Sequence, residues 1–75
     1  MTNIDFSSIP YWVIEKNHGH NKWAVAACLL AIDAGSIAVV RETPKAVLVE
    51  WGNTELIHGP AGGEFWVAKS LIKEI

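Results

Sequence analysis

From Trp23 to Ile32 every residue is apolar, ten positions with no polar interruption. If Trp23–Ala34 is helical, the 3.6-residue repeat gathers Ala24, Ala27, Cys28, Ala31 and Ala34 into one stripe of small side chains. Val25, Leu29 and Ile32 then flank that stripe on one side, and Trp23 and Leu30 on the other. Small side chains let another backbone come close. A helix apolar all round needs two covers, its own sheet and something else, most simply a second copy or a protein partner. Ala24, Ala27, Cys28 and Ala31 are therefore the expected self-association residues.

The pattern around this run predicts the other elements. Residues 1–9 are mostly polar and are expected to form an irregular N-terminal arm with Ile4 and Phe6 as its anchors. After Pro10, Tyr11-Trp12-Val13-Ile14 is aromatic and β-branched, which reads as a first strand. Asn17-His18-Gly19-His20-Asn21 is a turn cluster, with Asn21 placed to cap the helix that begins at Lys22, and Gly35 suits its C-terminal stop. Strands are expected at Ser36–Glu42, at Lys45–Trp51 and, after a Gly52-Asn53 turn, at Thr54–His58. Gly59-Pro60-Ala61-Gly62-Gly63 breaks the pattern. Beyond it, Phe65, Ala68, Leu71, Ile72 and Ile75 recur at helical spacing, so Glu64–Ile75 reads as a last helix; the rival reading makes Glu64–Ala68 a fifth strand, because Phe-Trp-Val favours extended backbone. The expected fold is a single α+β domain spanning residues 1–75, of order β-α-β-β-β-α, with an antiparallel meander packed by two helices.

Composition sharpens this picture in three ways. A chain of 75 residues that is 51% hydrophobic has a small core and surplus apolar surface, so association is a natural outcome. The net charge of −2 is made with six dispersed basic residues, which gives no basic stripe for phosphate backbones. Cys28 is the only cysteine, which fits a reducing cytoplasm and excludes an intramolecular disulfide. The first residues lack the basic and apolar regions of an export signal. Trp23–Val40 approaches the length of a membrane span, but Asp33 near its middle costs about 2.5–3.5 kcal/mol in a bilayer and Ala34-Gly35-Ser36 looks like a helix stop.

Candidate chemistry is sparse. On a helical reading of the C-terminal segment, Trp66 lies beside Lys69 and Lys73, an aromatic among cations that is suited to gripping an acidic protein. Trp12 is a second possible anchor. Tyr11, Trp12 or Trp51 with Lys45, Lys69 and Lys73 would be the parts of a nucleic-acid platform, against which the acidic pI counts. His18, His20 and His58 form a metal site only if the fold brings them together, and no metal signature accompanies them. The glycines of 59–63 lack the lysine and hydroxyl of a phosphate-binding loop. Ser7, Ser8, Ser36 and Ser70 lack a nucleophile motif, and Cys28 sits in apolar surroundings that suppress its reactivity. The expectation is a non-enzymatic, cytoplasmic interaction protein that needs no cofactor and acts as a homodimer on a larger macromolecule, with a protein as the expected partner, the profile of accessory, regulatory and virus-encoded inhibitor proteins. A nucleic-acid module and a histidine metal site are the alternatives.

Overall fold

The computed structural model describes residues 3–52 and 62–75. The class is α+β: two helices lie on one face of a three-stranded antiparallel sheet, with a separate two-stranded pair beside them. In chain order these are β1 (Ile4–Asp5), α1 (Tyr11–Asn17), α2 (Lys22–Ala34), β2 (Ile37–Glu42), β3 (Ala46–Gly52), β4 (Gly62–Ala68) and β5 (Lys73–Glu74). Single 3₁₀ turns occupy Phe6–Ser8 and Lys69–Leu71.

α2 begins and ends as its sequence dictates. The Asn21 side-chain oxygen accepts from the Trp23 and Ala24 amides at 3.0 and 3.2 Å, satisfying two donors that the first turn leaves open. At the other end Gly35 takes φ +76°, while the Gly35 and Ser36 amides donate back to the carbonyls of Ile32 and Ala31. This paired closure is why the helix stops where the glycine stands.

β2, β3 and β4 form a meander in that order. Ile37 pairs with Trp51, and a register shift between Val39 and Arg41 leaves Val40 as a bulge. β3 and β4 pair without interruption from Ala46 with Ala68 to Gly52 with Gly62. Alternation then sorts the side chains. Ile37, Val47, Val49, Trp51, Phe65 and Val67 join the helices in the core, whereas Ala38, Glu50, Glu64 and Trp66 stand on the outer face. Glycine is required where β3 meets β4: a Cβ on Gly62 would lie 2.7 Å from the Trp51 carbonyl oxygen, and one on Gly63 would lie 3.3 Å from the Trp51 indole nitrogen.

Three expected elements are corrected. Tyr11–Ile14 is not a strand but the start of α1, since Pro10 sets an extended φ/ψ just ahead of it and the helix buries Val13 and Ile14 while Tyr11 and Trp12 remain outside. So short an apolar run satisfies either repeat, and packing against α2 decides it. Glu64–Ile75 is not a helix. The rival strand reading holds for Glu64–Ala68, where the β3 ladder satisfies the backbone and Phe65 and Val67 alternate inward, after which the chain makes a 3₁₀ turn and enters β5. The N-terminal arm is not irregular either. Ile4 and Asp5 pair with Glu74 and Lys73, and the Lys73 amide donates to the Ser8 hydroxyl at 2.8 Å. The strand expected at Thr54–His58 lies outside the described residues.

Replacing Asn21 with alanine is expected to lower stability by about 1 kcal/mol in urea unfolding, with Asn21→Ser recovering most of it.

Candidate interaction surfaces

The small stripe of α2 is consumed inside the chain. Ala27, Cys28 and Ala31 have no exposed surface, Ala24 and Val25 are nearly as enclosed, and all but Ala24 belong to the cluster that includes Val47 and Val49 of β3. Ala27, Cys28 and Ala31 are therefore packed into the core shared with the protein's own sheet, Ala24 is buried as well, and none of the four is open to a second copy. Ala34, at the end of the stripe, is exposed. The reason is geometric: small side chains let the helix lie close to the β-branched inner face, so the sheet claims that side first.

What remains open is the opposite side of the same helix. Trp23 and Leu30 are each 48% exposed and Leu29 40%, and Lys22, Ala26 and Asp33 complete that face. Tyr11 and Trp12 add two more exposed rings on α1, in the same helical layer. Large apolar side chains concentrated on one layer mark a contact surface more often than scattered ones do. Beside this face, Phe6, Ile9, Ile14, Leu29, Ile32 and Asp33 help to line a recess of about 420 Å³.

Trp66, Lys69, Lys73 and Trp12 do not form one cluster. Trp66, 46% exposed, stands on the outer face of β4 in a cross-strand row with Leu48 and Arg41. Lys69 is drawn away from it into an ion pair with Glu42. Lys73 lies on β5 opposite Asp5, and Trp12 belongs to the helical layer. The helical spacing that would have aligned Trp66 with both lysines is absent because the segment is a strand. The nucleic-acid platform is likewise unassembled: Tyr11 and Trp12 are helical and Trp51 is buried on the inner face.

His18 is a core-anchoring residue that sequence reasoning assigned to an open turn. Its Nδ1 lies against the Ile14 carbonyl oxygen, so the ring donates there, and its Nε2 accepts from the Trp51 indole N–H at 3.2 Å. This pairing defines the Nδ1-protonated tautomer. The ring also meets Phe65 edge-on, with centroids 5.3 Å apart. His20 takes a left-handed φ of +59° and pairs with Glu15 at 3.2 Å. His58 lies outside the described residues. With both His18 nitrogens engaged, the imidazoles of the turn do not present a common ligand set, and no cluster of three metal-binding side chains occurs among the described residues. The one sequence signal for the His18 contact was its closeness to the first apolar segment.

Burial pushes the Cys28 thiol up from 9.0 to about 11. It is held as a neutral, inward-facing group. Gly62 and Gly63 open a strand and not a helix, so no helix N-terminus follows the glycine-rich segment. Among the described residues no helix is long and apolar enough to cross a membrane. Compared with protein-family models, curated proteins and solved structures, the chain finds no match.

Replacing His18 with alanine strands the buried Trp51 N–H and is expected to cost roughly 1–3 kcal/mol in denaturant unfolding. For Cys28 the unfolded thiol ionises from pH 9.0 while the folded one holds its proton to about 11. The unfolded state thus binds fewer protons in that window, and stability falls as pH rises, by roughly 2–3 kcal/mol in all. Comparing pH-dependent unfolding of wild type and Cys28→Ala isolates this slope, which is expected to be missing from the variant.

Proposed function

We propose that this chain is a small protein-interaction domain with no catalysis of its own, which pairs with a second copy and acts by covering a surface on a larger macromolecule in an accessory, regulatory or inhibitory role. The observation that carries the reading is the outer face of α2, where Trp23, Ala26, Leu29 and Leu30 leave a continuous apolar surface after the sheet has taken the small stripe. A standard interface takes about 800 Å² from each partner. A 13-residue helix is roughly 20 Å long and supplies only part of that area, and Tyr11 and Trp12 in the same layer extend it. Trp66, on the outer sheet face, is directed away from this layer and is the anchor left for a different partner.

The groups best suited to catalysis also support a non-enzymatic reading. His18 is bonded through both nitrogens, and Cys28 is buried and neutral near pH 7.

Light scattering and sedimentation across a dilution series test the proposal. The wild type is expected to be a dimer that dissociates on dilution. Leu30→Glu changes an exposed position and should give folded monomers, whereas Ala27→Glu forces a charge into a fully enclosed site and should unfold the chain. Affinity capture with wild type and Trp66→Ala as baits then separates the second surface, the variant losing the macromolecular partner but not the dimer. A wild type that stays monomeric at every concentration overturns the self-association.

A further inference from the structure

The open face of α2 carries an internal code for how two copies meet. Lys22, Ala26, Leu29 and Asp33 follow one another at spacings of four, three and four residues, the repeat of a helix-pairing seam. All four are exposed, and Trp23 and Leu30 border them along one side.

The charges at the two ends of this seam are in the wrong places for an isolated helix. The N-terminus of a helix carries partial positive charge and its C-terminus partial negative charge. Here the cation Lys22 is the first helical residue and the anion Asp33 the last but one, with no acid in the first turn and no base in the last. Neither has an ion-pair partner among the described residues. Both therefore oppose the dipole with no compensating ion pair among the described residues.

We infer that two copies pair through α2 in antiparallel register about a two-fold axis passing between residues 27 and 28, so that Lys22 of each copy meets Asp33 of the other. The same operation sets Ala26 against Leu29 of the second copy, a small side chain facing a large one, twice over. It also brings Trp23 beside Leu30 of the second copy on the flank. A two-fold contact must be self-complementary, and this seam is so in both charge and volume. Parallel pairing would set lysine on lysine and aspartate on aspartate. The inference rests on the self-association proposed above and specifies its geometry.

Charge exchange and crosslinking test it. Lys22→Glu and Asp33→Lys, each placing like charges together twice per dimer, are expected to weaken dimerisation about tenfold, and the double variant to return within about twofold of wild type. Each single substitution also corrects the helix dipole, so the dilute monomer should melt at a higher temperature while the dimer weakens. Simple damage to the fold would move both the same way. In a Cys28→Ala background, an equimolar mixture of Ala26→Cys and Leu29→Cys chains should form a disulfide-linked heterodimer on mild oxidation, with little crosslinking of either variant alone. A crosslink within the single variants, or a double variant no better than the single ones, overturns the antiparallel register while leaving the dimer standing. A monomeric wild type overturns the proposed function itself.

Discussion

The close packing of α2 against the sheet is the constraint on which the molecule depends. Ala27, Cys28 and Ala31 bring the helix down onto a surface built from Val47, Val49, Trp51, Phe65 and Val67. A three-stranded sheet covers one side of a helix and no more. Among the described residues nothing of comparable size remains for the other side, and α1, at seven residues, does not enclose it. The exposed Trp23, Leu29 and Leu30 thus follow from the size of the sheet and the all-round apolarity of the helix.

The turn between the helices is tied into the same core. His18 joins the end of α1 to Trp51 of β3 and contacts Phe65 of β4, so one imidazole links the helical layer to two strands. Its tautomer is set by a backbone carbonyl on one side and an indole donor on the other. Trp51 in turn covers Gly63, where a larger residue would crowd the ring. Substituting any member of this set disturbs the others, because each fills space or satisfies a polar group that the next depends on.

The two outer surfaces differ in kind. The outer side of α2 presents Trp23, Leu29 and Leu30 with Lys22 and Asp33 at its ends. The outer sheet face is mixed: Trp66 stands in a row with Leu48 and Arg41, and Glu50 directly opposes Glu64 in the next row. Like charges placed opposite each other weaken a sheet.

Local chemistry was legible in the sequence wherever a residue acts on its immediate neighbours. Asn21 starts α2 and Gly35 ends it because capping and left-handed backbone depend on a few consecutive residues, and Val47, Val49 and Trp51 declare a strand face by simple alternation. The α+β class followed from these elements. Tertiary structure alone decided whether Tyr11–Ile14 and Glu64–Ile75 became helix or strand, since each pattern fits more than one repeat and the outcome rests on whether a helix or a strand partner is adjacent. It also decided which side of α2 stays open. Both sides are apolar, so periodicity cannot rank them; the sheet takes the side whose small side chains permit the closest approach and leaves the bulky one to the surface.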